Sequence, residues 1–130
     1  MRLSLLCAVL AAIAVPSAML AHHSFSAEFD AAKKITLNGV VTKVDWLNPH
    51  IFIYLDVKDD TGAVTHWQCE GGPPNTLTRN GWSKNSIKPG DQLTIDGWLA
   101  KDNSKTCNAR SVKLPSGKSV FAGSTNGDYK

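Results

Sequence analysis

Trp46-Leu47-Asn48-Pro49-His50-Ile51-Phe52-Ile53-Tyr54-Leu55 is the stretch whose reading decides the fold. It is rich in β-branched and aromatic residues, and its one proline stands near the start, where a strand tolerates it. Read as a single central strand, it obeys a period of two. Ile51, Ile53, Leu55 and Val57 then share one face, and His50, Phe52, Tyr54 and Asp56 share the other. The first set is a core stripe. The second mixes an imidazole, two rings and a carboxylate, which suits a site or a rim better than an oily interior.

Working outward, Ile35 to Trp46 also reads as strand, with Val40, Thr42, Val44 and Trp46 on one face and Gly39 marking a bulge or sharp bend. Lys58-Asp59-Asp60-Thr61-Gly62 is turn chemistry, so Val64 to Glu70 returns antiparallel to the central strand. Gly71-Gly72-Pro73-Pro74 stops that strand. Asn75 is then placed to cap a short helix through Arg79 that Asn80-Gly81 ends, with Trp82 over one mouth of the fold. Gln92 to Leu99, Thr106 to Leu114 and Lys118 to Phe121 supply three more strands. Five or six strands with one short helix between the third and fourth predict an all-β fold, a small OB-like Greek-key barrel. The expected core includes Val40, Val44, Ile51, Ile53, Leu55, Leu93 and Ile95. An immunoglobulin-like β-sandwich is the alternative, but it wants about seven strands and no helix in mid-chain.

The chain has 130 residues, 42% hydrophobic and 19% charged, which fits one small domain. Its start reads differently: Met1-Arg2, the apolar run Leu3 to Val15, and Pro16 to Ala21 have the three-part form of a secretory signal peptide. The apolar run is too short to span a bilayer, so no membrane span is expected after cleavage. Cleavage after Ala21 gives the expected organisation: residues 1–21 signal peptide, 22–34 an N-terminal arm, 35–121 the barrel, 122–130 a flexible tail. The arm reads either as a helical turn or as an extended segment laid over the barrel. The expected location is the periplasm or outside the cell. Losing Arg2 lowers the formal net charge from +3 to +2, too little for a polyanion partner, so no nucleic acid is expected. Cys7 lies in the leader, and the remaining pair, Cys69 and Cys107, is expected to form a disulfide in an oxidising compartment.

Several pieces taken together resemble one family: Ala21-His22-His23-Ser24-Phe25, Glu28-Phe29-Asp30, Gly39-Val40-Val41, Trp46 to His50, Glu70 to Asn75, Gly81-Trp82 and Pro89-Gly90-Asp91. The chain resembles the exported bacterial proteins grouped as domain of unknown function 6152, over nearly the whole mature length. The resemblance implies export and a compact β-rich domain, and it implies no activity.

Chemistry therefore has to come from residues. Cleavage after Ala21 would give His22 a free α-amine beside its imidazole, a chelating pair that favours tetragonal copper(II). It is locally similar to the histidine brace of exported copper proteins and copper monooxygenases. His23 or His50 would complete the set, and protons compete for the same nitrogens, so binding should weaken as pH falls. Cleavage one residue earlier would place a histidine third from the terminus, also a chelate for copper(II) or nickel(II). Against this stands the plain reading of an exposed terminus, and of His50 as a ring that bonds a nearby carbonyl behind Asn48-Pro49.

His66 alternates with Gln68 and Glu70 along a strand, a pattern any solvated sheet face shows, whereas Glu70 before two glycines is placed to support a ligand or a histidine. Trp46, Phe52, Tyr54, Trp67, Trp82 and Trp98 offer the second hypothesis, an OB-type platform for a glycan, a peptide or an envelope protein. The competing reading is that these rings are core. Nucleophile elbow, CxxC, HExxH, P-loop and dinucleotide fingerprints are all missing from the sequence. A binding module is thus expected rather than an enzyme, and a copper-dependent oxidoreductase rests on the terminal histidine alone.

Overall fold

The structure is a computed structural model that describes residues 25–123. The expectations for the leader, for His22 and His23, and for residues 124–130 lie outside that range.

Among the described residues eight elements follow in order: α1 (Phe25–Glu28), β1 (Phe29–Trp46), β2 (Ile51–Lys58), β3 (Val64–Glu70), α2 (Pro74–Arg79), β4 (Gln92–Ala100), β5 (Thr106–Lys113) and β6 (Ser119–Phe121). The sheet order is β3-β2-β1-β4-β5-β6, and an additional parallel pairing of β3 with β5 closes β1 to β5 into a ring. That ring, β1-β2-β3-β5-β4 and back to β1, with α2 between β3 and β4, is the small Greek-key barrel of OB type expected from the sequence. Ring closure also separates it from an immunoglobulin-like sandwich, whose two sheets stay open.

β1 organises the barrel. Its first half pairs with β4 from Lys34 to Val40, and its second half pairs with β2 from Val40 to Trp46. The handover falls at Gly39, where a Cβ would stand 2.8 Å from the Asp56 carbonyl oxygen, so only glycine lets the strands approach there. The bulge itself comes three residues later, between Val41 and Lys43. It reverses the inward parity of the strand: Leu37, Gly39 and Val41 point in before it, Val44 and Trp46 after it. The expected core position Val40 is therefore corrected. Val40 is 40% exposed and Val41 takes its place at 2%.

The stretch from Trp46 to Leu55 is also not one strand. β1 ends at Trp46 and β2 begins at Ile51, with Leu47 to His50 forming the turn, in which the Asn48–Pro49 peptide is cis. The central position thus passes to β1. Period two nonetheless holds along β2, where Ile51, Ile53 and Leu55 are buried and Phe52, Tyr54 and Asp56 face out. β1 starts at Phe29 rather than Ile35 because Phe29, Phe25, Trp98 and Ala100 form a second apolar cluster that holds the arm against β4.

In α2 the cap is Pro73, without a side-chain bond, and not Asn75, which accepts from the Thr76 N–H one residue on. The far end is as expected. Gly81 has φ +91°, and the Gly81 and Trp82 N–H groups donate to the Thr78 and Leu77 carbonyls, a Schellman ending. Leu77 and Trp82 then join the core, and the Trp82 indole N–H donates to the Phe121 carbonyl at 2.8 Å. Ala122, expected in the tail, is buried and bridges Arg110 to Gly72 through its own N–H and carbonyl.

Cys69 and Cys107 face each other in the parallel β3–β5 register with 4.5 Å between Cα atoms, and they form the expected disulfide. The bond lies inside the barrel, fully buried.

Candidate functional site

β2 and β3 pair in a regular register that sorts the candidate residues by face. Phe52 faces Glu70, Tyr54 faces Gln68, and Asp56 faces His66, all on the outside of the barrel. At the head of this face stands His50, just before β2. Its Nδ1 lies 2.9 Å from the Gly71 carbonyl oxygen and 3.2 Å from Glu70 Oε1. Both partners only accept, so Nδ1 carries the hydrogen, and in the neutral ring Nε2 is left with its lone pair. A carbonyl and a carboxylate behind one ring nitrogen is the arrangement that orients a metal-ligating histidine.

The local sequence explains this placement. Gly71 sits against Ile51, where a Cβ would stand 2.7 Å from Ile51 Cγ1, and its N–H donates to the Ile51 carbonyl. The chain after Glu70 is thereby pinned beside the residue that follows His50. Glu70 is held by its strand partner Phe52 on one side and by Asn108 of β5 on the other.

At the other end of the face, His66 Nδ1 is 2.6 Å from Asp56 Oδ1, with the imidazole side chain 83% exposed. Phe52 and Asp56, the β2 partners of Glu70 and His66, are four positions apart, about 13 Å at the rise of a strand. They do not form one centre. Among the described residues no group of three or more His, Cys, Asp or Glu side chains is set to hold a metal ion. Asn48 is exposed in the β1–β2 turn. Lys43, on the β1 flank, bonds Asp45 at 2.8 Å and lies 5.0 Å above the Tyr54 ring. The Asp45 carboxylate holds the Lys43 ammonium above its ordinary value, mainly through that hydrogen bond.

The aromatics divide clearly. Trp46 and Trp67 pack on the core from inside, Trp82 is buried, and Trp98 lies under Phe25 with ring centroids 5.2 Å apart. Only Phe52 and Tyr54 of the six face outward on β2.

Cross-strand register reveals a relation that spacing along the chain did not. Trp98 faces Asn108, Asn108 faces Glu70, and Glu70 faces Phe52, so one outer row crosses β4, β5, β3 and β2. The anchored arm residue Phe25 stands at one end of this row and the His50–Glu70 corner at the other. The signal was partly available: once Cys69 and Cys107 are paired, their next neighbours Glu70 and Asn108 fall side by side.

The structure is thus an OB-type barrel with a half-buried histidine beside its β2–β3 face. The chain belongs to the family of unknown function DUF6152, whose family model matches residues 9–109, from Val9 to Ala109 in β5. No curated protein matches it. Among the described residues no helix is long and apolar enough to cross a membrane.

Proposed function

We propose that this protein is an exported copper(II)-binding module in which the α-amine and imidazole of His22 and the Nε2 of His50 supply nitrogen ligands, with His23 as the remaining histidine within reach. The observation that carries this reading is the state of His50. Its Nδ1 hydrogen is engaged by the Gly71 carbonyl and the Glu70 carboxylate, so the ring offers Nε2 in a fixed orientation.

Phe25, three residues after His22, is anchored on Trp98 in the outer row that leads across Asn108 to Glu70, the carboxylate beside His50. Amine and imidazole nitrogens suit tetragonal copper(II), and divalent affinity peaks at copper. The alternative, a non-metal module that takes a glycan, a peptide or an envelope protein over the β2–β3 face, has weaker support. Four of the six candidate rings are packed inward or covered, and Lys43 already occupies the Tyr54 ring.

The test is a copper(II) titration of protein that begins at His22, alongside the same protein carrying one extra Met before it. The extension removes the α-amine chelate and leaves every side chain present. Binding at least tenfold weaker, with a changed d–d spectrum, is expected for the extended form. Equal affinity and an identical spectrum would exclude a terminal site.

A further inference from the structure

Another part of the barrel's outer surface carries a separate feature. An open groove of about 520 Å³ runs over the outer face of β1, β4, β5 and β6, within the size range of small-molecule sites. Thr36, Asp96, Ser111 and Phe121 are successive cross-strand partners along it. Between two of them β5 is one residue longer than β4: Asp96 faces Ser111 while Gly97 faces Ala109, which makes Arg110 the bulged residue. A bulge re-aims a side chain, and Arg110 lines the groove with Lys34. Gly97 permits this, since a Cβ there would stand 2.1 Å from the Asn108 carbonyl oxygen.

The groove's polar groups are unevenly satisfied. Asp96 Oδ1 accepts from the Thr36 hydroxyl at 2.6 Å, and Ser111 Oγ stands 3.4 Å from Oδ2. Lys33, Lys43 and Lys88 each have a carboxylate partner. Lys34 and Arg110 have none among the described residues. Two uncompensated cations, one carboxylate surrounded by hydroxyls and a half-buried phenyl ring therefore face the same space.

We infer that this groove binds an acidic saccharide unit. The guanidinium of Arg110 presents a planar fork to a sugar carboxylate, with Lys34 adding a point charge. Asp96 accepts from sugar hydroxyls, which a carboxylate does well and a simple anion site has no use for. The Phe121 ring gives an apolar surface for the C–H face of a pyranose. A phosphate dianion matches the set less well, because its second charge meets Asp96.

The experiment is a titration of copper-free, full mature protein with glucuronate, read by amide and arginine side-chain NMR shifts, with glucose and inorganic phosphate in parallel. Because copper is absent, the result is independent of the His50 corner. Saturable shifts centred on Arg110 and Phe121 are expected, with glucose and phosphate each at least tenfold weaker. Arg110→Gln should weaken glucuronate at least tenfold while its melting curve and copper titration stay unchanged. Lys34→Gln should weaken it by a smaller factor and serves if the bulge variant does not fold. No saturable shift with glucuronate, phosphate binding as tight or tighter, or unchanged binding by the folded variants would each overturn the inference.

Discussion

Two histidine–carboxylate pairs lie on one sheet face, and only one of them has the features of a site. His66 and Asp56 are joined by a short contact of 2.6 Å, yet the imidazole is largely in water and the pair sits near the turn end of the β2–β3 hairpin. Exposed pairs of this kind contribute roughly 0 to 1 kcal/mol and are screened by salt. His50 and Glu70 are farther apart, at 3.2 Å, but half-buried, and the backbone carbonyl of Gly71 adds a second acceptor. The shorter distance is thus the less informative one. What distinguishes the His50 corner is that three independent chain segments meet there: the β1–β2 turn, the end of β3, and β5 through Asn108.

The largest effect expected to separate the two ends comes from the disulfide. Cys69 and Cys107 close a loop with a sequence separation of 38, for which the chain-entropy model gives about 4 kcal/mol of stabilisation. Replacing both with Ser should lower the unfolding free energy by about that amount, measured by denaturant titration. The loss should also be uneven across the face. Amide exchange at Gly71 and Gly72, next to the β3–β5 junction, should accelerate more than at Thr65, which β2 alone holds. Uniform acceleration would mean that the His50 corner does not depend on ring closure.

How far the sequence foretold this contrast depends on which structural feature each residue obeys. β2 was legible because its inner residues Ile51, Ile53 and Leu55 alternate cleanly, with nothing in the strand to shift the phase. β1 was not. Gly39 carries the sequence signature of a bulge, whereas the register shifts between Val41 and Lys43, amid residues that carry none. One extra residue inverts the phase, so the alternation of Val44 and Trp46, carried back across the bulge, points to Val40 where the inward residue is Val41. Asn48-Pro49 is turn chemistry within a run of large apolar residues, and the hydrophobic reading overrode it. His50 and Glu70 were both singled out from the sequence, but their meeting depends on how β2 and β3 align around Gly71. The row through Asn108 depends on a parallel pairing between strands far apart in sequence, for which no local pattern exists.

The next effect in size is functional. His50→Ala in protein beginning at His22 should weaken copper(II) at least tenfold, which corresponds to about 1.4 kcal/mol. His66→Ala should leave the affinity unchanged within error, because it removes only the exposed pair. Glu70→Gln should fall between, since the amide can still accept from Nδ1 but carries no charge behind the ring. Isothermal titration of the three variants would rank them. Equal losses at His50 and His66 would erase the distinction between the two pairs, and a loss at His66 alone would reverse it.

The smallest effect concerns the hairpin turn beside His66. Asp59 accepts from the Thr61 hydroxyl at 2.6 Å, the Thr61 N–H at 2.8 Å and the Ala63 N–H at 3.0 Å. The Thr61 hydroxyl is the main cause that holds the Asp59 carboxyl below its ordinary 3.8, with the turn N–H groups adding to it. A carboxyl whose value is lower folded than unfolded stabilises the fold when ionised. That contribution is present above the unfolded value and disappears as pH falls through the folded one. Between neutral pH and about pH 4 the turn should therefore be insensitive, and below about pH 4 it should weaken. Asp59→Ala removes the acceptor, so its stability should be lower than the parent's at pH 7 and should decline less steeply below pH 4. Denaturant melts of both proteins at pH 7, 4 and 3 give the comparison, and parallel declines would show that the turn carboxylate contributes nothing to the acid limb. Asp102, held low chiefly by the Ser104 N–H in the β4–β5 loop, should act in the same sense. The parent's acid sensitivity would then belong to its loops, at a distance from the His50–Glu70 corner.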